Sequence, residues 1–192
     1  KYPFGKTKKI FTKKSFKQLV DISLNQFQTD YLDILYLHGL PNKEINEEAY
    51  NYFNSLKEEG KARYLGVAAH TKKDLKWALR NANNLDVVMC HYNLINHMEV
   101  ETFLSSLKEK STIIIGSTPF AGGLLSKRKK FKGITTLKSD IFYSLKELLP
   151  RQRIQKNKSI RILNELKDKP NGKIYPLEFS LNSKYTDITI FG

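Results

Sequence analysis

The chain has 192 residues, with 33 Lys and Arg against 19 Asp and Glu, for a formal net charge of +14. Hydrophobic residues at 40% and aromatics at 11% suffice for a packed core, and six Pro with ten Gly exclude a collagen-like or linker-dominated chain. No apolar run approaches the ~18 to 20 residues of a membrane-spanning helix, and the single cysteine, Cys90, excludes an internal disulfide and four-thiolate metal or iron–sulfur sites.

In chain order, Ser15 to Phe27 places Phe16, Leu19, Val20, Ser23, Leu24 and Phe27 at three- and four-residue spacing, a helix with one apolar face. Tyr31 to Leu37 then reads as a buried strand running into His38. Glu44 to Glu59 is a second helix, with Ile45, Ala49, Tyr52, Phe53 and Leu56 inward and Gly60 as its stop. The grammar repeats. A strand at Ala62 to Val67 precedes a helix at Lys72 to Asn81, and a strand at Asp86 to His91 precedes a helix at Met98 to Glu109. Thr112 to Gly116 is a strand followed by a Gly122-Gly123 turn. A basic excursion over residues 124–173 interrupts the rhythm, with helices at about Ser139 to Leu148 and Ser159 to Lys167 and a turn at Pro170-Asn171-Gly172. A helix from Tyr175 to Ser183 and a strand from Asp187 to Phe191 complete the chain.

The first four strands start near residues 31, 62, 86 and 112, and each step fits one β–loop–α–loop unit, so the class is α/β with a parallel sheet. A doubly wound sheet calls for a glycine-rich phosphate turn, and neither G-x-G-x-x-G nor G-x-x-x-x-G-K-[ST] occurs. Short strands with polar C-terminal ends suit a (β/α)8 TIM barrel, whose reactive face lies at those ends. Five strands are fewer than eight, and a strand with little chain after it leaves a sheet uncovered. The expectation is one partial barrel domain over residues 1–192, incomplete at both ends.

The polar residues at the strand ends are His38; then Ala68, Ala69 and His70; then His91, Tyr92 and Asn93; then Ser117 and Thr118. On position alone His38 reads as either a catalytic or a structural histidine. His70 reads as a cap on the following helix. Asp33, inside a strand read as buried, is an acceptor for a neighbouring strand or loop. Cys90 reads as packing, since no partner base can be named. No carboxylate or thiolate stands at metal-ligand spacing beside His91 or His97. Only six of the 33 basic residues are Arg, and the Lys residues are scattered along the whole chain; the one dense cluster, Lys127-Arg128-Lys129-Lys130 with Lys132, reads as a solvated loop. Nucleic acid is not an expected partner, because that reading rests on charge alone.

At these residues the chain resembles a known family. Thr29-Asp30-Tyr31-Leu32-Asp33-Ile34-Leu35-Tyr36-Leu37-His38 is similar to the T-D-Y-L-D-L-Y-L-x-H strand of the aldo-keto reductases, and Leu56 to Val67 is similar to their L-K-x-E-G-K-I-R-Y-I-G-V-S stretch. Asp86-Val87-Val88 with Tyr92-Asn93-Leu94 resembles the sixth strand, Pro119 to Leu125 the loop after the seventh, and Thr186 to Gly192 the eighth. The resemblance implies a (β/α)8 barrel that transfers a hydride between NADP(H) and a small-molecule aldehyde or ketone; the compartment expected from the single cysteine is a reducing cytoplasm. It implies catalytic roles for His38, which orients the carbonyl, and for Lys1, which lowers the barrier to proton donation from a phenol whose ordinary pKa is about 10. The tetrad's Asp and Tyr belong to the first two strands of the family barrel, which this chain lacks.

The resemblance places the cofactor at Ala68, Ala69, His70, Met89, Ser117, Pro119, Gly122, Gly123 and Leu124. Three of these depart from the family pattern. Ala68 stands for the serine, and Met89 for the glutamine, that hold the nicotinamide carboxamide. Ser117 stands for the aromatic that stacks on the ring. Each lost hydrogen bond removes roughly 0.5–1.5 kcal/mol. His70 is a candidate replacement donor for the carboxamide. A catalytically inactive barrel of the same descent, serving as a binding or scaffold module, is the rival expectation, and it rests on those three positions.

Overall fold

A computed structural model of the chain describes residues 11–38, 45–125, 150–166 and 175–190. The described elements in order are α1 (Lys13–Phe27), β1 (Leu32–His38), α2 (Glu47–Glu58), β2 (Ala62–Ala69), α3 (Lys72–Arg80), β3 (Val87–His91), α4 (His97–Lys108), β4 (Ile113–Ser117), α5 (Pro150–Leu166), α6 (Tyr175–Leu181) and β5 (Ile188–Ile190). The strands follow one another in the sheet in chain order, β1-β2-β3-β4-β5. The β1–β2 and β2–β3 pairings are parallel. Adjacent, in-sequence strands joined through helices are the repeating unit of a β/α barrel, and five such strands are present among the described residues. By contacts the chain falls into two compact units, one built on residues up to Cys90 with Thr102–Ile115, the other on His91–Glu101 and the residues from Gly116 onward.

In the first unit, capping explains where the helices begin. Thr12 and Ser15 form a capping box on α1, with Ser15 N–H donating to Thr12 Oγ1 at 3.2 Å and Thr12 N–H to Ser15 Oγ at 3.1 Å. Asn46 caps α2 by accepting from Ala49 N–H at 3.2 Å, so α2 starts at Glu47 and not at Glu44, and Ile45 lies before the cap. Its end is a Schellman motif: Gly60, at φ 70°, donates to Leu56's neighbour Lys57 at 3.0 Å, and Lys61 N–H reaches the Leu56 carbonyl at 2.9 Å. The expected core face holds, with Ala49, Tyr52, Phe53 and Leu56 buried.

α1 is more exposed than its pattern predicts. Phe16 and Val20 are buried, whereas Leu19 and Phe27 are 59% and 72% exposed. The same is true of β1, read as a buried strand: only Leu37 is buried, and Asp33 is exposed and paired with Arg63 Nη1 at 2.8 Å. The physical reason is position. Among the described residues β1 bonds to β2 alone, so it is a sheet edge, and a parallel edge strand lacks the second neighbour that would cover it. Asp33 does accept from the neighbouring strand, as expected, but at the surface.

β2 is the centre of this unit and runs two residues further than predicted, to Ala69, because Ala68 and Ala69 pair with Met89 and Cys90 of β3. Leu65, Val67, Val88 and Cys90 are all buried. Asp86 locks the start of β3: its carboxylate accepts from Leu65 N–H at 2.8 Å and from Lys57 Nζ at 2.8 and 3.0 Å. Gly66 sits where a side chain does not fit, since a Cβ there would lie 2.8 Å from the Val87 carbonyl and 2.9 Å from the Tyr36 ring.

In the second unit, α5 begins at Pro150, nine residues before the Ser159 expected from sequence; proline is suited to the first turn of a helix, where its missing N–H has no partner to lose. Lys158 Nζ meets Glu99 Oε1 at 3.2 Å. α6 ends at Leu181, earlier than Ser183, and Ser180 is fully buried, its hydroxyl donating to the Tyr92 carbonyl at 3.3 Å. Thr189 Oγ1 of β5 donates to the Ser180 carbonyl at 2.9 Å, and Tyr92 stacks on Phe179 at 5.7 Å. The expected helix at 139–148, the turn at 170–172 and the basic cluster at 127–132 lie outside the described residues.

Candidate active site

Two groups of residues gather at C-terminal strand ends, one in each unit. In the first, strand register sets the arrangement. His38 of β1 pairs with Ala68 of β2, and Ala68 pairs with Met89 of β3. In a parallel ladder registered neighbours share a face, so the three side chains stand in one row. Ala68 and Ala69 are buried at 0% and 1% exposure, Met89 is half-buried and His38 is exposed. The two methyl groups and the thioether carry no hydrogen-bond donor for a carboxamide. Those three positions do not fit the nicotinamide amide.

His70 follows β2 directly and turns onto His38. Their Nε2 atoms are 3.4 Å apart and the rings meet edge to face, with centroids 5.2 Å apart and planes at 63°. The helix cap expected of His70 is made by its neighbour: Thr71 Oγ1 accepts from Asp74 N–H at 3.2 Å, and Asp74 Oδ2 accepts from Thr71 N–H at 2.9 Å. Threonine followed three residues later by a carboxylate is a capping box, a signal visible in the sequence.

In the second unit the group is a hydrogen-bonded web. His91 Nδ1 lies 3.2 Å from Ser117 Oγ and 3.0 Å from Thr118 Oγ1. Asn96 Nδ2 donates to the His91 carbonyl at 2.8 Å, Asn93 Nδ2 donates to the Thr118 carbonyl at 3.1 Å, and Asn93 Oδ1 accepts from Ile95 N–H at 3.0 Å. Ser117 is therefore a partner of His91, buried at 8% exposure. His91, Asn93 and Thr118 carry this web, although the sequence offered only their place at strand ends as a signal.

Burial holds the His91 imidazole below its ordinary value. The sign follows: the unfolded chain takes up the proton first, so stability from a neutral His91 is complete above about pH 6.5 and is lost as pH falls toward the depressed folded value. Denaturation curves across this range are expected to show an acid-side loss that His91→Asn diminishes. Equal loss in both proteins would place the titration elsewhere. Cys90, also buried, has its thiol pushed up to about 12 by desolvation, which suits packing and not nucleophilic attack.

The loop after β4 is set by its backbone. Thr118 has φ 58° and Ala121 51°, both left-handed without being glycine, followed by Gly122 at 65° and Gly123 at 93°. Phe120 precedes them at φ −89°, ψ 13°. A right-handed residue followed by left-handed ones is the geometry of an anion-binding nest. Internal bonds preform the loop: Ala121 N–H to the Thr118 carbonyl at 2.8 Å, Gly123 N–H to Phe120 at 3.0 Å and Leu125 N–H to Phe120 at 3.1 Å. Gly122 is open, with nothing within 4 Å of an added Cβ, while Pro119 is buried and Leu124 half-buried. The N–H groups of Ala121 and Gly123 are spent inside the loop, so any fit to a phosphate group rests on the open backbone at Gly122. Lys1 lies outside the described residues. No helix among the described residues is long and apolar enough to cross a membrane.

Successive β/α units with polar residues gathered at the strand ends define the (β/α)8 barrel class. Residues 4–169 match the Aldo/keto reductase family, and the chain belongs to it. With the Uncharacterized oxidoreductase YqkF of Bacillus subtilis (strain 168) it is 28% identical over 139 residues, 71% of this chain and 45% of that protein. With L-galactose dehydrogenase of Arabidopsis thaliana it is 29% identical over 125 residues, 62% of this chain and 39% of that one. The chain thus spans less than half the length of these two curated relatives. The solved aldo-keto reductase AKR11C1 from Bacillus halodurans, in its holo form, is similar at a TM-score of 0.63 and 26% identity, over 96% of this chain and 58% of that one. Glycerol dehydrogenase AKR11B4 from Gluconobacter oxydans shares the fold at a TM-score of 0.71 and 16% identity, over 97% and 57%.

Proposed function

We propose that this chain supplies part of the active site of an NADP(H)-dependent reductase that converts an aldehyde or ketone to an alcohol in the cytoplasm. The observation that carries the reading is the row of His38, Ala68 and Met89 at the strand ends of a chain of this family, with an imidazole at the exposed end of the row. Bound NADP(H) supplies the hydride. His38 orients the carbonyl by donating a hydrogen bond to its oxygen. Lys1 assists the proton donor, which lies outside this sequence.

The chain's grip on the dinucleotide falls mainly on the Pro119–Leu124 loop, where Gly122 and Gly123 face the phosphates: the backbone at Gly122 is open to a phosphate oxygen, while the Gly123 N–H is bonded to the Phe120 carbonyl and only shapes the turn. In the first unit Ala68, Ala69 and Met89 contribute shape for the nicotinamide and His70 a polar atom; in the second, Ser117 is a further cofactor position. Because the carboxamide loses side-chain partners, affinity is expected to depend more on the phosphates than on the nicotinamide.

Titration of the full-length natural protein with NADPH, and separately with a nicotinamide-free adenosine diphosphate ribose bearing the same phosphate, tests this. Both are expected to bind within about tenfold of one another, since the amide hydrogen bonds that would favour NADPH, roughly 0.5–1.5 kcal/mol each, are absent. No NADPH binding at near-millimolar cofactor would overturn the reading and favour a scaffold barrel.

A further inference from the structure

We propose that His70 is a positioning residue that holds His38 in one tautomer, with the proton on Nε2, ready to donate to a substrate carbonyl. The inference rests on the reductase reading for what His38 does and on geometry for what His70 does. The Nε2 atoms of the two rings face each other at 3.4 Å. Two lone pairs at that separation repel and two N–H groups collide, so a neutral pair is stable only when one Nε2 carries hydrogen and the other accepts. The two tautomers are thereby coupled.

The coupling has a direction that serves the chemistry. If His70 donated, His38 would carry its hydrogen on Nδ1 and would present a lone pair to the carbonyl oxygen. If His70 accepts, His38 keeps Nε2–H and its ring stays aimed along that bond. An arriving carbonyl oxygen then replaces His70 as the acceptor, one hydrogen bond exchanged for another with no net proton movement.

The backbone holds His70 in place for this role. Ala69, just before it, pairs with Cys90 of β3, and Thr71, just after it, is locked by the reciprocal bonds to Asp74. His70 is half-buried while His38 is exposed, so the more fixed ring orients the freer one. Among the described residues no group of three His, Cys, Asp or Glu surrounds the pair, which leaves it two ligands short of a tetrahedral metal site. The pair is a hydrogen-bonding unit.

The test is two-bond 1H–15N correlation on the full-length protein labelled with 15N-histidine, above the pH at which both rings are neutral. The wild type is expected to show His38 protonated on Nε2 and His70 bearing an unprotonated Nε2. In His70→Ala the His38 nitrogens should move toward a tautomer average, with kcat lowered about tenfold, the scale of one lost neutral hydrogen bond. His70→Asn, whose amide oxygen can accept, should recover part of both effects. A wild-type His38 protonated on Nδ1 overturns the proposal, as does a His70→Ala protein whose His38 resonances stay put. Should His70→Ala not fold, the wild-type spectrum and His70→Asn decide. A wild type that shows the expected tautomers but turns over no carbonyl substrate overturns the reductase reading and the carbonyl role with it; absent tautomer coupling overturns the pairing whatever the turnover.

Discussion

His38→Ala is expected to lower kcat for carbonyl reduction by at least about 100-fold, the scale of removing one preorganised donor from a developing oxyanion, while NADPH affinity stays within about twofold. The two readouts separate because of where the ring sits. His38 closes β1 at the edge of the row, in register with Ala68, and its side chain is exposed. Its ring meets His70 outside the buried core, in contrast to Leu37, which is 6% exposed. The phosphate-type loop at Pro119–Leu124 belongs to a different element. Steady-state kinetics with a parallel NADPH titration check this, and an equal fall in turnover and affinity would make His38 structural.

The largest stability effect is expected from Phe53→Ala. Phe53 is 1% exposed, and it stacks on Tyr50 with centroids 6.4 Å apart. It lies among Ala49, Tyr52 and Leu56 on the buried side of α2. Removing the ring loses its transfer energy and leaves a cavity that a helix clamped at both ends by Asn46 and Gly60 cannot collapse, so the cost is about 3–5 kcal/mol. Urea denaturation of the full-length protein measures it. A change below about 1 kcal/mol would mean that α2 does not pack as described.

How much of this was legible in the sequence differs by residue. The β/α alternation was, because periodicity reports which face of an element is buried, and α2 shows it: Ala49, Tyr52, Phe53 and Leu56 are inward as their spacing predicts. Periodicity does not report whether a neighbour is present. Leu19 and Phe27 of α1 carry a buried pattern yet lie exposed, and β1, at a sheet edge, is for the most part only half-buried. Element boundaries failed where a cap decided them, as at Asn46, or where a strand continued through alanines, as at Ala68 and Ala69; at Thr71 the helix start at Lys72 was right and only the capping residue differed.

For the candidate site, His38 was legible because an imidazole interrupts an apolar strand at its C-terminal end. Its partner was not. The turn of His70 onto His38 depends on the lateral offset of two paired strands separated by 32 positions in the chain, which no local spacing encodes. The His91–Ser117–Thr118 web is of the same kind, joining residues 26 and 27 positions apart. The positive φ of Thr118 and Ala121 was also beyond sequence reading, since neither residue type favours it.

Hydride transfer itself can be followed directly. The full-length natural protein, given NADPH carrying deuterium at the nicotinamide position that transfers and a panel of aldehydes and ketones, is expected to yield an alcohol with one deuterium on the former carbonyl carbon. His38→Ala should suppress that label. Cofactor left intact across the panel, with no deuterium in any product, would contradict a reductase and leave this barrel as a module that binds without turning over.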